Sequence, residues 1–507
     1  MTDRPLYPAL YQINARIWLG ELGERLGRPA AFDDVTDAAL DEIAGLGFDW
    51  VWLLGVWQTG PASRAVSRSI PELRREFLQL LPDLQEDDIT GSPFAIQRYA
   101  VHTDFGGDAA LARIRIRLAK RGLKLLLDFV PNHTALDHPW VQDHPEYYIS
   151  GDEADLAREP HNYCRIQTGV GRGKGPRILA HGRDPYFSGW TDTLQLNYRL
   201  RALRQAQRDE LLRIAGQCDG VRCDMAMLLL PDVIHKTWQE SSLPADGTPA
   251  VDESFWLEVI PQIRRTFPEF VMLAEVYWGL EWTLQQQGFD DTYDKHFYDR
   301  LRERDPTDVR GHLLADWEYQ ARSVRFLENH DEPRAADVFP IDVHRAAAVI
   351  AFLVPGLRFF HEGQLEGRRQ RAIIHLRRRP PEPVDWALSG FYRSLLACLK
   401  NPLVRNGCWR LLECVPAWEA NSSVHQFVAF AWDGLENQRL LTAVNYGPAQ
   451  GQCYVRLPWG DLNGRQFRLR DLMSDASYDR AGDDLAARGL YLDVPAWQYH
   501  VFEVIAI

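Results

Sequence analysis

The stretch Asp108–His133, DAALARIRIRLAKRGLKLLLDFVPNH, decides the fold. It reads as an amphipathic helix capped at Asp108, a glycine stop at Gly122, and a buried apolar strand that ends on a carboxylate, Asp128. The same order recurs along the chain. Residues Asp37–Gly45 lead into FDWVWLLGV at Phe48–Val56, Arg201–Gly216 into CDGVRCD at Cys218–Asp224, and Phe255–Phe267 into FVMLAEV at Phe270–Val276. Further units carry RSVRFLENHD from Arg322 and IAFLVPGLRFFHEG from Ile350. An opening strand at Ala9–Asn14 and a weak one in FDDTYD near Phe289 bring the count to eight. Apolar strands that alternate with helices imply a parallel sheet covered on both faces. Eight such units favour an α/β fold closed as a (β/α)8 TIM barrel over an open doubly wound sheet.

Working outward, the apolar grammar breaks twice. Between Val130 and Asp219 lie about 85 residues rich in Gly, His, Pro and Asp, too many for an ordinary βα loop. Beyond a helix around Trp386–Leu399 come short strands with turn residues: HQFVAFAW from His425, RLLTAVNY from Arg439, CYVRLPWG from Cys453 and QYHVFEVIA from Gln498. The expected organisation is a catalytic barrel at 1–133 and 219–400, a subdomain inserted after strand 3 at 134–218, and a C-terminal antiparallel β-sandwich at 401–507.

Length and composition agree. The chain has 507 residues, 46% hydrophobic and 25% charged, the balance of a globular protein and not of a fibrous or disordered one. A net charge of −13, with six lysines among 57 basic residues, speaks against a nucleic-acid partner. The longest apolar run, Ala346–Leu357, is too short to span a membrane and holds Pro355 and Gly356. The N-terminal residues show no secretory pattern, so a cytoplasmic location is expected. Seven cysteines without Cys-x-x-Cys spacing suggest reduced core thiols, not a disulfide framework or a thiolate metal site.

In a TIM barrel the site lies at the C-terminal ends of the strands. Four ends carry ionisable groups: Asp128-Phe-Val-Pro-Asn132-His133, Gly220-Val-Arg222-Cys-Asp224, Ala274-Glu275-Val-Tyr-Trp278 and Glu328-Asn329-His330-Asp331. A carboxylate that ends an apolar run is partly desolvated, which is costly unless it is paired or used. Each of these residues also has an ordinary structural reading. Asp128 can serve as a cap or salt-bridge partner, His133 as a satisfied structural histidine and Arg222 as an ion-pair partner. Order and spacing are what add weight.

That order resembles glycoside hydrolase family 13, the α-amylase family. DFVPNH matches its first conserved region, GVRCD its second, LAEVYW its third and ENHDEPR its fourth, in family order. LQLNYR at Leu194–Arg199, SPFAIQRYAVHTDFGG at Ser92–Gly107 and VPGLRFFHEGQ from Val354 look like further family segments. The resemblance implies Asp224 as nucleophile, Glu275 as general acid/base and Asp331 as transition-state stabiliser. It places Arg222, His330, His133, Asp128 and Phe94 or Tyr99 against the sugar. Arg222, two residues before Asp224 on the same strand face, would keep the nucleophile ionised. The activity implied is hydrolysis of α-glucosidic bonds in oligo- or polysaccharides through a glycosyl-enzyme on Asp224. Transglycosylase, isomerase and phosphorylase relatives share these motifs, and a non-catalytic binding subunit is a further alternative. Met227 and Leu228 stand where many α-amylases have a Lys-His pair. No organic cofactor and no metal ligand set is implied, although a structural calcium ion, with Asn132 as a candidate ligand, stays open.

Overall fold

The computed structural model describes residues 5–169, 175–243 and 249–507. Eight parallel strands close a barrel: β1 (Ala9–Asn14), β2 (Trp50–Leu54), β3 (Lys124–Phe129), β4 (Gly220–Cys223), β5 (Val271–Ala274), β6 (Asp291–Tyr293), β7 (Ser323–Arg325) and β8 (Leu357–His361). Each strand pairs with its sequence neighbours, and β1 closes on β8 through Ala9 opposite Arg358 to Gln12 opposite His361. The fold expected from the apolar grammar is the one observed, weak strand at Asp291–Tyr293 included. One local detail differs. The helix after Gly106 begins at Gly107, with no side-chain cap, and the Asp108 carboxylate instead accepts from the Val101 N–H at 2.8 Å.

Register sets what stands beside what. Arg222 of β4 lies opposite Asp128 of β3 and Leu273 of β5, and Cys223 lies opposite Ala274. The next residues along these strands, Asp224 and Glu275, are therefore neighbours at the barrel mouth.

Two excursions rise from the mouth. The first follows β2: an antiparallel hairpin of Trp57–Thr59 and Ile96–Val101, with helices Pro61–Ser69 and Pro71–Leu80 between its arms. Nothing in the apolar pattern announced these helices. The second follows β3, where His133–Ala135 pairs with Thr193–Gln195 and a small sheet forms from Ser150–Gly151, Gly175–Ala180 and Tyr163–Thr168. Helix Arg201–Ala215, inside the span expected for this subdomain, belongs to the barrel wall. Its Arg204 is buried, pairs with Glu258 at 2.6 Å and lies over Phe255 of the neighbouring helix Phe255–Thr266.

The C-terminal region forms two antiparallel sheets, one of six strands and one of three, that share a core including Phe427, Leu441, Val455, Phe467 and Phe502. Trp432 fastens this region to the barrel, its indole donating to the Leu353 carbonyl at 2.8 Å and its ring meeting Tyr7 at 5.2 Å. Tyr446 does the same through the Leu301 carbonyl at 2.6 Å.

The barrel closes tightly at Gly356, just before β8. Its φ of +118° is a conformation that L side chains avoid, and an added Cβ would stand 2.2 Å from the Ser323 carbonyl oxygen of β7. Gly356→Ala should therefore destabilise the protein by on the order of 3 kcal/mol. A thermal melt reads this as a fall of several degrees, and an unchanged melting temperature would show that β7 and β8 can part without cost.

Candidate active site

Arg222 is the centre of the site. It is 1% exposed, and its guanidinium lies over the rings of Phe94, Trp52 and Tyr293 at 5.2, 5.4 and 5.8 Å. Its Nη1 pairs with Asp224 Oδ1 at 2.5 Å and its Nη2 with Glu275 Oε2 at 2.8 Å. One planar fork thus holds two carboxyl groups from adjacent strands, the geometry at which arginine excels.

The two acids are held differently. Asp224 has one side-chain bond, to Arg222, and Oδ2 has no protein hydrogen bond among the described residues. On Glu275, Oε2 also accepts from the Met225 N–H at 2.6 Å, and Oε1 accepts from the Tyr277 hydroxyl at 2.9 Å. Met225 reaches its position through a φ of +44°, rare for a side chain of its size, and this turn aims its N–H at Glu275. Burial raises the Glu275 carboxyl to about 8, with the charges of Asp224 and Asp331 pushing in the same direction and Arg222 and the Met225 N–H opposing. Burial likewise keeps the Tyr277 hydroxyl protonated.

Asp331, with 43% of its side chain exposed, stands at the opening, its Oδ2 at 3.2 Å from His330 Nε2. The Asn329 side chain accepts from the N–H groups of Asp331 and Glu332, both at 2.8 Å, and so fixes the turn that presents Asp331. His330 Nδ1 meets the Gln12 amide at 3.0 Å, and burial pushes the imidazole down to about 4, so the ring is neutral. As the amide nitrogen is the donor, Nδ1 accepts and the proton sits on Nε2, toward Asp331 and the opening.

The remaining expected residues divide. Phe94 joins the site, 5.4 Å from His330 and against Arg222. His133 lies 4% exposed beside Trp190, with Asn132 at 3.3 Å from Nδ1 and the Phe94 carbonyl also in contact. Tyr99, expected as an alternative stacking ring, is instead 5% exposed. Its hydroxyl both donates to and accepts from Val130 backbone, at 3.0 and 2.9 Å, and its ring packs on Trp57. Asp128, expected against the sugar, is 1% exposed, with Oδ1 taken by Trp52 Nε1 at 3.0 Å and Oδ2 by the Gly55 N–H at 2.8 Å. Both oxygens are engaged in tying β3 to β2, so Asp128 braces the wall beside Arg222. Burial, opposed by Arg222, raises its carboxyl to about 6.

Gln12, Tyr277 and the Met225 N–H were not picked out from the sequence. Tyr277 carried a usable signal, since it sits two residues after Glu275 and an extended chain turns alternate side chains to one face. Gln12 and Met225 carried none, because their roles depend on a partner distant in sequence and on a local φ.

With this geometry in hand, the relatives can be placed. The family model for the alpha amylase catalytic domain matches residues 34–383. The chain belongs to the α-amylase family. Alpha-amylase MalA of Haloarcula japonica is 26% identical over 370 residues, which are 71% of this chain and 44% of that protein. The chain thus spans less than half the length of that relative. An alpha-1,4-glucan:maltose-1-phosphate maltosyltransferase of Pseudomonas aeruginosa is 29% identical over 161 residues, 30% of this chain and 22% of that one. Among solved structures, a noncanonic maltogenic alpha-amylase, AmyB of Thermotoga neapolitana, shares the fold with a TM-score of 0.67 at 18% identity, covering 99% of both chains.

The raised Glu275 gives this family member a titration signature. A carboxyl that holds its proton more tightly when folded contributes stability at acid pH, and that contribution is lost as pH rises from the ordinary glutamate value near 4.5 through about 8. Glutamine never ionises. The melting temperature of Glu275→Gln should therefore exceed the wild-type value by a margin that is small at about pH 5 and grows toward about pH 9. A margin that is constant or shrinks over that range would show that Glu275 is not held protonated.

Proposed function

We propose that this protein is a retaining α-glycoside hydrolase that cleaves α-glucosidic bonds in oligo- or polysaccharides through a covalent glycosyl-enzyme on Asp224. The observation that carries this reading is the single guanidinium of Arg222 bonded to both Asp224 and Glu275. Two carboxyls sharing one fork favour the ~5–5.5 Å separation of a retaining pair over the ~6.5–9.5 Å that leaves room for an inverting water.

The two acids are matched to two roles. Arg222 pairs with Oδ1 of Asp224 and leaves Oδ2 to attack the anomeric carbon. Glu275 holds its proton at neutral pH, and since Oε2 already accepts from Arg222 and Met225, the proton resides on Oε1. Oε1 gives that proton to the departing oxygen, and the resulting carboxylate takes one from the water that hydrolyses the ester. The Tyr277 hydroxyl steadies Oε1 while it is charged. Asp331 grips adjacent sugar hydroxyls with the neutral His330, and Phe94 offers its face to the ring.

Transfer to a sugar or phosphate acceptor is the second reading, favoured by the similarity to a maltosyltransferase over 161 residues. It differs only in what releases the ester from Asp224. The ligand would be an α-linked oligosaccharide or glucan. The seven free cysteines suit a reducing, cytoplasmic compartment.

Catalysis on this reading needs no cofactor. The candidate calcium ligand, Asn132, does not suit a metal ion, because its side chain forms a closed amide pair with Gln195. Its Oδ1 accepts from Gln195 Nε2 at 2.9 Å and its Nδ2 donates to Gln195 Oε1 at 3.1 Å. EDTA should leave the melting temperature unchanged; a large fall reversed by calcium would reveal a ligand set elsewhere.

The roles separate by leaving group. Asp224→Asn should lose turnover on every substrate by about three orders of magnitude or more while keeping the wild-type melting profile, because an amide forms no glycosyl ester. Glu275→Ala should lose as much on maltooligosaccharides and far less on an α-glucosyl fluoride, which departs without a proton. Azide should then restore turnover and yield the α-glucosyl azide. Equal loss on both substrates with no azide rescue would remove Glu275 from the role of proton donor.

A further inference from the structure

Behind the wall that carries Phe94 lies a second cavity, of about 790 Å³, between the helix Ala15–Leu26, the start of the helix Pro61–Ser69, the turn Thr103–Phe105 and the segment Arg377–Arg378. It does not open through the catalytic carboxylates, none of which lines it. Its floor is apolar, made by Leu19, Ala30 and Phe105, all at least nine-tenths buried. Its inner wall is cationic.

Arg16 is 5% exposed and bonds to neutral acceptors alone: the Gly91 carbonyl at 2.6 Å, Thr59 Oγ1 at 2.9 Å and Thr90 Oγ1 at 3.1 Å. These use three of the five guanidinium donors. Arg64 has neither a hydrogen bond nor an ion pair from its side chain among the described residues, and its Nε is buried without a partner. His102 completes the wall, with Nδ1 accepting from the Asp104 N–H at 3.2 Å; burial disfavours its protonation, Asp104 opposes this, and Arg16 and Arg64 add to the effect of burial.

The acids that line the cavity are Glu24, Asp83, Asp88 and Asp104; none bonds to Arg16 or Arg64 among the described residues, and Glu24 is exposed. Asp83 and Asp88 are held by Arg378 at 3.0 and 2.9 Å, and Asp104, facing His102 at 3.6 Å, has 74% of its side chain in solvent. Burying a guanidinium without a counter-ion costs several kcal/mol. Arg222, Arg334, Arg325, Arg204 and Arg439, all buried, meet that cost with acids, and Arg358 meets it with four backbone carbonyls, those of Tyr7, Phe352, Val354 and Val404. Arg16 is buried with three neutral acceptors and no acid, and the half-buried Arg64 has no side-chain hydrogen bond or ion pair among the described residues.

We propose that this cavity is a binding site for a phosphate monoester, with the phosphate between Arg16, Arg64 and His102 and the organic part on the floor of Leu19, Ala30 and Phe105. The charge selects the class, because two uncompensated guanidiniums match a group that carries ≈ −1.5 to −2 near neutral pH, whereas a single carboxylate leaves one unmatched. The volume selects an ester over free phosphate, since it holds a molecule of sugar-phosphate size or larger. The wall and the catalytic site share the segment from Gly91 to Phe94: Arg16 grips one end of it and Phe94 faces Arg222 at the other. The inference stands apart from the reaction proposed above and holds or fails independently of it.

Isothermal titration of the full chain with glucose 6-phosphate, inorganic phosphate, glucose and citrate tests it. Wild type should bind glucose 6-phosphate at one saturable site, inorganic phosphate more weakly, and glucose and citrate not measurably. Arg64→Gln should weaken glucose 6-phosphate at least tenfold and Arg64→Glu should abolish it, both with wild-type melting profiles, since the Arg64 side chain makes no bond that folding needs. Absence of saturable binding in wild type would overturn the proposal, as would binding that both Arg64 variants retain. Inorganic phosphate as tight as the ester, or citrate as tight as either, would overturn the choice of ligand.

Discussion

The structure at the barrel mouth depends on how one buried positive charge is accommodated. Arg222 is removed from water, and the cost of that removal is offset only if acids and ring faces surround it closely. Asp224 and Glu275 supply the charge, and Phe94, Trp52 and Tyr293 supply the faces. Four other chain segments are therefore fixed in relation to a single guanidinium. Asp128, opposite Arg222 in register, spends its oxygens on Trp52 and Gly55 and so holds in place one of the faces on which Arg222 rests.

The same charge makes two like acids unlike. Asp224 meets Arg222 through one oxygen and little else, whereas Glu275 is more completely enclosed and feels the negative charge of both Asp224 and Asp331. Burial disfavours the charged form of Glu275 more than Arg222 favours it, so the proton stays. A backbone turn at Met225 in the left-handed region adds a donor to one Glu275 oxygen and leaves the other to Tyr277. Strain in a backbone turn is tolerated where the surrounding structure over-determines it, and here Asp224 and Ala226 are both tied to neighbouring strands, through Phe129 and Glu275 carbonyls at 2.8 and 3.0 Å.

The excursion after β2 has two faces. One supplies Phe94 to the barrel mouth beside Arg222 and the other supplies Arg64 to the cavity behind it. A segment anchored by Arg16 at Gly91 joins the two faces.

Much of this was legible along the chain. Eight apolar strands, the carboxylates that end them and the four ordered motifs needed no tertiary information, because a strand buried on both faces loses polar alternation and a barrel gathers its strand ends on one side. Asp224, Glu275, Asp331, Arg222, His330 and Phe94 lie together as their motifs implied. Tyr99 and Asp128 do not face the opening, for one reason: a motif gives a residue's place on its strand but not which neighbour takes its polar atoms. Val130 took the Tyr99 hydroxyl, and Trp52 and Gly55 took the Asp128 carboxylate. Helices Pro61–Ser69 and Pro71–Leu80, the Gln12 contact to His330 and the closed pair of Asn132 with Gln195 were equally out of reach. The sequence by itself determined which elements form and which strand ends carry charge, since these follow from local periodicity. Tertiary structure alone decided which charges are paired, which are left uncompensated and which acid keeps its proton, because those depend on desolvation and on partners tens to hundreds of residues away.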